Sequence, residues 1–306
     1  MKKVRLRDYE KLEMCRLYET GNYNFTELSK IFPVSIQAIK GLLNRRGYIS
    51  KTQSELQRKY TINENYFNLI DTDDKAYFLG ILYADGYNDT DRNAVNLSLQ
   101  EKDADVLNKL SIFLDSNKPL QKISTKIGQD QLRMVLCSKH ICSRLVELGC
   151  PKSKTFDIVF PTKEQVPEHL ISAFIRGILD GDGSIGKSSI CFVATESFCR
   201  SLEVIFKNKL NINSYIRARH PERNNNIRMI DISGRLKIVK LLNWLYENST
   251  IHMDRKYNKY LEHLEFQKNK NAAINIRDQG IKIPGLSAED THVTRPMKQK
   301  LNNLLT

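Results

Sequence analysis

With 306 residues, 41% of them hydrophobic and 27% charged, the chain has room for two or three domains and the balance of an ordinary globular protein. No apolar run approaches the roughly 20 residues that a membrane span needs, and the start MKKVRLRDYEK has no hydrophobic signal segment, so the expectation is a cytoplasmic protein. The net charge of +13 fits a polyanionic partner, since each Lys or Arg set against a phosphate releases counterions.

Residues 1–60 hold 13 Lys/Arg against 6 Asp/Glu, so about a fifth of the chain carries +7 of that charge. Residues 8–46 read as three short helices. DYEKLEMCRLYETG offers Leu12, Cys15 and Leu17 to a core and stops at Gly21; FTELSKIF follows with Thr26 as its cap. In PVSIQAIKGLLNRRG, Ser35 caps, Ile36, Ile39 and Leu43 face inward, and Gln37, Lys40, Asn44, Arg45 and Arg46 face out. Two short helices with a tight connection, the second basic and amide-rich, make a helix-turn-helix pattern suited to DNA. The plainer alternative is a three-helix module with a solvated basic face. SKTQSELQRKYTINE is apolar-poor, and residues 51–65 read as a linker.

From residue 66 one order of elements occurs twice, over 66–164 and 165–266. The first copy is helix DKAYFLGILYADG, strand AVNLSLQ, helix DADVLNKLSIFLD, strands LQKISTKI and QLRMVLCSK, and helix HICSRLVELG. The second is helix PEHLISAFIRGILDGDG, strand SSICFVA, helix ESFCRSLEVIFKNKL, strands SYIRARH and NIRMIDISG, and helix RLKIVKLLNWLYENS. A further strand is expected after each Asp-Gly, near Tyr87 and Ser184. Alternation in VNLSLQ and RMIDIS suggests sheets buried on one face. A repeat of about a hundred residues is a pseudo-dimer rather than a solenoid. Residues 267–306 show no sustained periodicity. The cysteines (15, 137, 142, 150, 191, 199) lack CxxC pairs, which fits free thiols better than zinc or disulfides.

FLGILYADG and FIRGILDGDG carry the chemistry. Gly80 and Ala84 are four apart, as are Gly177 and Gly181, so each helix bears a strip of small residues that lets two backbones approach closely. Asp85 and Asp182 directly follow those strips at the helix ends, and Gly86 and Gly183 can take the left-handed cap conformation. Two carboxylates then share a place with the negative ends of two helix dipoles. A divalent cation relieves that repulsion, oxygen donors suit Mg²⁺, and paired metals serve phosphodiester hydrolysis.

These two stretches resemble the signature motifs of the LAGLIDADG homing endonucleases in their single-chain, two-motif form, and the preceding helix-turn-helix is similar to that of phage-type members. The resemblance covers roughly 66–265. It implies an α+β fold of two pseudo-symmetric αββαββα halves with saddle-shaped antiparallel sheets, after a small all-α domain. It also implies a monomer acting as a pseudo-dimer that makes a staggered, Mg²⁺-dependent double-strand cut at a long DNA site, as in intron homing. By the resemblance, Asp85 and Asp182 match the metal-binding acids, and Gly80, Ala84, Gly177 and Gly181 the helix-contact positions. Gln100 and Thr195 match polar residues that place water, and Lys154 and Lys256 match the lysine that completes each half-site. One departure is Tyr83 in the first motif where the second has Asp180.

DNA-facing candidates on the sheets and their turns are Arg92, Asn96, Ser98, Lys122, Ser124, Lys126, Gln131 and Arg133 in the first half. In the second they are Lys187, Ser188, Arg217, Arg219, Arg223, Arg228 and Asp231. GDGSIG is no dinucleotide loop, because its glycines follow a helix and its aspartate would repel pyrophosphate. DGDGS is no calcium loop, because its twelfth position is Cys191. The remaining alternative is a non-cleaving DNA-binding regulator or an RNA-splicing maturase on the same scaffold. An intein is not expected, with Met1 first and Asn302-Asn303-Leu304-Leu305-Thr306 last.

Overall fold

A computed structural model describes residues 6–20, 23–48, 60–124, 130–152, 154–220, 222 and 226–278. The chain divides into two compact units, residues 1–61 and 62–306. Lys126, Arg223 and Gly21 lie outside the described residues, as do most of the expected linker and of the expected tail.

The first unit contains α1 (Asp8–Glu19), α2 (Phe25–Ile31) and α3 (Ile36–Arg45). Its core is Met14, Cys15, Phe25, Leu28, Phe32, Ile39 and Leu43. Ser35 caps α3 by accepting from the Ala38 N–H. Three expectations change. The cap of α2 is Asn24, which exchanges hydrogen bonds with Glu27 in a capping box, so Thr26 lies inside the helix. Leu12 and Ile36 are exposed. Met14 takes the inward position beside Cys15, because a short helix buries only the stripe facing its two neighbours.

In the second unit, α4 (Asp73–Asp85) leads into β1 (Gly86–Asp89), β2 (Ala94–Gln100), α5 (Ala104–Phe113), β3 (Gln121–Ser124), β4 (Asp130–Cys137) and α6 (Lys139–Glu147). The order then repeats as α7 (Ile171–Gly181), β5 (Ser184–Ile185), β6 (Ser189–Thr195), α8 (Glu196–Leu210), β7 (Tyr215–Ala218), β8 (Ile227–Ser233) and α9 (Arg235–Tyr246). The strands form two four-stranded antiparallel sheets of matching order, β1-β2-β4-β3 and β5-β6-β8-β7. Val95, Leu97 and Leu99 of β2 are buried while Ala94, Asn96, Ser98 and Gln100 are half-buried, the alternation of a sheet with one open face. A helix missed by sequence reading, α10 (Asp254–Asp278), follows α9 and runs past the expected end of the second half at 266.

The α4 and α7 helices form the centre. Every residue from Ala76 to Tyr83, and from Ala173 to Asp180, is buried, the all-round burial of a core helix. At the crossing, a Cβ on Gly80 would fall on the Phe174 carbonyl and lie 3.0 Å from the Gly177 Cα. A Cβ on Gly177 would fall on the Tyr77 carbonyl, 2.9 Å from the Gly80 Cα. Backbone thus packs on backbone. Gly86 is extended (φ −73°, ψ 143°) and Gly183 is not left-handed either, which corrects the expected cap. Glycine is required there by space: a Cβ would lie 2.6 Å from the Leu82 carbonyl at Gly86 and 2.7 Å from the Leu179 carbonyl at Gly183.

The crossing predicts a large penalty for Gly177→Leu. Overpacking costs about 1–3 kcal/mol where side chains can shift, and here the obstructing atoms are backbone. Thermal unfolding should show a Tm lower by roughly 5 °C or more; an unchanged Tm would contradict the packing described.

Candidate active site at the paired helix ends

Close approach at Gly80 and Gly177 carries through to the C-terminal ends of α4 and α7. A Cβ on Gly181 would collide with the Ala84 Cβ and lie 2.7 Å from Asp85 Oδ2. The Asp85 carboxylate therefore lies over the last turn of the other helix, and Asp182 is the residue that caps that helix. The crossing thus sets Gly80 against Gly177, and Ala84 and Asp85 against Gly181, with Asp182 the next residue along.

Two lysines reach the same helix ends. Lys154 Nζ donates to the carbonyls of Tyr83 (2.7 Å) and Ala84 (3.1 Å), and Lys256 Nζ donates to those of Leu179 and Gly183 (2.6 Å for Gly183). Lys154 thus satisfies carbonyls that α4 leaves orphaned, whereas Lys256 joins the Gly183 N–H at the Leu179 carbonyl and takes the Gly183 carbonyl just beyond α7; each ammonium sits at the negative end of its helix dipole. The arrangement is matched in the two halves.

Burial, and then the Asp182 charge, push the Asp85 carboxyl up to about 6, against the pull of Lys154 and Lys256. Asp182 is raised as well, by the protein crowded around it and against Lys154, Lys256 and Arg219. Its side chain reaches solvent, so Asp85 is the more strained acid of the two. Burial lowers both lysines, Lys256 to about 8 with Arg255 adding to the effect. A cleft of about 270 Å³ opens beside Asp182, lined by Lys154, Ile158, Val193 and Arg219 among others.

The polar residues expected to place water differ. Gln100 is half-buried at the end of β2 and pairs in register with Gln131. Thr195 is buried, accepts from the Phe198 N–H as the cap of α8 and donates to the Ile158 carbonyl at 2.6 Å. Its only proton is committed to that carbonyl, so it has none to donate to a water in the cleft.

Register sorts the DNA-facing candidates. In the first sheet Asn96, Ser98, Gln100, Gln131 and Arg133 share the open face, with Arg133 Nε donating to Ser98 Oγ at 3.0 Å. Lys122 and Ser124 are on the opposite face, in register with Leu132 and Asp130, and Lys122 pairs with Asp130 at 2.8 Å. Gln121 and Ile123 hold the open-face positions in their place. In the second sheet Tyr215 and Arg217 are on the open face, where Arg217 Nε meets Asp231 Oδ2 at 2.7 Å. Arg228 pairs in register with Ala194 on the helix side and binds Glu196 at 2.8 Å, so it is not a sheet-face contact. Arg92, Lys187 and Ser188 are exposed in turns.

Two buried residues of the second motif, Asp180 and Arg176, have partners that the sequence does not indicate. Asp180 accepts hydrogen bonds from Tyr77 Oη (2.9 Å), Tyr246 Oη (2.5 Å) and the Met253 N–H (2.7 Å), and burial raises its carboxyl against them. Arg176 donates to the Ile251 (2.9 Å) and Leu245 (2.7 Å) carbonyls and pairs with Asp73. Both tie α7 to the segment that delivers Lys256. In the first motif Tyr83 stands where Asp180 does and donates to the Leu148 carbonyl at 2.5 Å. The acid at that position was visible in the sequence; its partners were too distant along the chain to be.

The raised Asp85 carboxyl predicts a pH-dependent stability. Its folded value near 6 lies above the ordinary 3.8, so between those values the folded protein binds the extra proton and stability falls as pH rises. In a chelated buffer, Asp85→Asn should raise the Tm at pH 8, and the gain should shrink as pH falls through about 6. A gain independent of pH, or a loss, would contradict the crowding of the two acids.

Residues 169–244 match the family model described as a LAGLIDADG-like domain. No curated protein matches the chain in sequence. Among solved structures, the full-length DUF199/WhiA from Thermatoga maritima is 17% identical over 78% of this chain and 89% of its own, with a TM-score of 0.40. Meganuclease I-SmaMI bound to uncleaveable DNA is 11% identical over 74% of this chain and 96% of its own, with a TM-score of 0.40. I-DmoI in complex with DNA and Mn is 15% identical over 58% of this chain and 98% of its own, with a TM-score of 0.39. None of the described helices is long and apolar enough to cross a membrane. The chain carries a LAGLIDADG-like domain in its second half, and its first half repeats that domain's order of elements.

Proposed function

We propose that this protein is a metal-dependent, site-specific DNA endonuclease that makes a double-strand cut at a long site, acting as a monomeric pseudo-dimer of residues 66–164 and 165–266. The observation that carries the reading is the pairing of Asp85 and Asp182 at two touching helix ends, each end capped by its own lysine. Two crowded acids are a cost that a purely structural crossing does not need, because Asn at both positions would remove it.

The donor set fits a hard divalent cation: two carboxylates at adjoining helix ends, both raised chiefly by burial, and Asp85 also by the Asp182 charge. Asp85 and Asp182 would hold it, and bound Mg²⁺ would supply the positive charge that stabilises a reacting phosphate. The chain's own groups do the rest. Lys154 and Lys256 hold positive charge over the helix ends, where a phosphodiester backbone would lie. Arg219 flanks the same cleft and would attract a phosphate. Gln100 faces the open surface from the first half, and its counterpart in the second half, Thr195, is committed elsewhere. The open sheet faces would read the major groove, with Asn96, Gln121, Gln131 and Arg133 in the first half and Arg217 in the second. In the first unit, α3 would serve as the recognition helix of a helix-turn-helix, presenting Gln37, Asn44, Arg45 and Arg46, while Lys40 is half-buried over the Phe25 ring.

Selection of cleaved sequences from a randomised duplex library, with and without Mg²⁺, tests the reading directly. On the selected site, Asp85→Asn and Asp182→Asn should each keep binding while lowering double-strand cleavage by about a hundredfold or more. Full cleavage by either variant would refute the site. Arg45→Gln with Arg46→Gln should weaken binding and lower the salt slope by about 2; an unchanged slope would remove the first unit from the DNA interface.

A further inference from the structure

We propose that each half of the pseudo-dimer positions the lysine that serves the other half's helix end: the first half holds the segment bearing Lys256, and the second half holds the segment bearing Lys154. The inference rests on the endonuclease reading for its consequence in cleavage, but its geometry stands apart from it.

Lys256 belongs to α10 and its ammonium returns to the end of α7, both in the second half. The start of α10, however, is gripped by the first half. Arg255 meets the buried carboxylate of Asp103 through two bonds, Nε to Oδ1 at 2.7 Å and an Nη to Oδ2 at 3.0 Å. Lys109 Nζ donates to Asp254 Oδ1 (2.6 Å) and to the His252 carbonyl (2.7 Å), and the Asp254 N–H donates to Asp105 Oδ2 (3.1 Å). A two-point Arg–carboxylate pair fixes direction as well as distance. Arg255 is the residue immediately before Lys256, so the pair sets where that lysine's long side chain starts.

The reverse arrangement holds Lys154. It opens a single 3-10 turn, Lys154–Phe156, and its ammonium returns to the end of α4 in the first half. The chain just beyond is held by the second half. Thr195 Oγ1 donates to the Ile158 carbonyl at 2.6 Å, and Asn226 Nδ2 donates to the Phe156 carbonyl at 2.6 Å. The buried Thr195 is thereby a positioning residue for Lys154, in place of the water-holding role read from sequence. Each lysine's segment is thus gripped by the opposite half in addition to its own, which for Lys256 contributes Asp180 and Arg176, so docking of the two halves bears on both half-sites.

Asp103→Asn and Thr195→Val test the exchange, with Lys154 and Lys256 each serving as the control for the other. Acetylation by a limiting amine-reactive ester, read peptide by peptide in a mass spectrometer, needs neither DNA nor cleavage. Lys256 should be labelled several-fold faster in Asp103→Asn with Lys154 unchanged, and Thr195→Val should give the converse. The double variant Asp103→Arg, Arg255→Asp should restore protection of Lys256. On a duplex with each strand separately end-labelled, the two single variants should slow opposite strands about tenfold and accumulate opposite nicks. Uniform or unchanged labelling of the two lysines, or slowing of both strands alike, overturns the proposal. Labelling as expected in a wild-type protein that cuts no duplex would instead overturn the endonuclease reading and leave the exchange standing.

Discussion

Two helix backbones meet at Gly80 and Gly177 with no room for a Cβ on either, and that separation decides where both aspartates fall. A leucine-lined crossing holds helix axes about 8–10 Å apart, which would move the two carboxylates out of each other's field. The bare contact draws Asp85 over Gly181 and raises its carboxyl. The core is arranged around this seam, with the aromatic rings of Tyr83, Phe174, Phe160 and Phe198 packing edge to face along one side.

The seam also explains why the two motifs are not copies. At one position the first carries Tyr83, which reaches the Leu148 carbonyl, and the second carries Asp180, which collects two tyrosine hydroxyls and a backbone N–H. Both side chains perform the same work, fixing the chain at or just after the last sheet-packed helix of their own half. They do so with opposite hydrogen-bonding polarity, and the acid incurs a desolvation cost that three donors offset. With Arg176 beside it, Asp180 anchors residues 245–253 and so the approach of Lys256.

Much of this was legible in the chain. Small residues four apart, each strip followed by Asp-Gly, specify a close crossing with acids at its end, because no other common use of that pattern needs both features. The chain order of helices and strands was legible from the apolar segments, the one-sided burial of the sheets from alternation, and Lys154 and Lys256 from resemblance. What failed did so for definite reasons. Lys122, Ser124 and Arg228 look like open-face residues in the sequence, yet a period of two means that one step of register reverses a side chain, and the strand pairings place them on the helix side. Gln121 was missed by the same step. Thr195 looked like a water-holding residue because a strand end before a helix is also where an N-cap belongs, and the cap prevailed. Among the described side chains of the α10 helix, those buried are Lys256, Tyr260 and His263, two of the three polar, so apolar periodicity gave little signal.

Stability and the proposed chemistry are therefore opposed at one place, where a tight seam holds Asp85 in the field of Asp182. The account stands on a cation reconciling them. Its most direct measurement is an anomalous difference map from a crystal of the protein grown with its selected duplex and Mn²⁺. The account predicts a peak at coordination distance, about 2.2 Å, from carboxylate oxygens of both Asp85 and Asp182. Mn²⁺ bound elsewhere, or to neither aspartate, would contradict it.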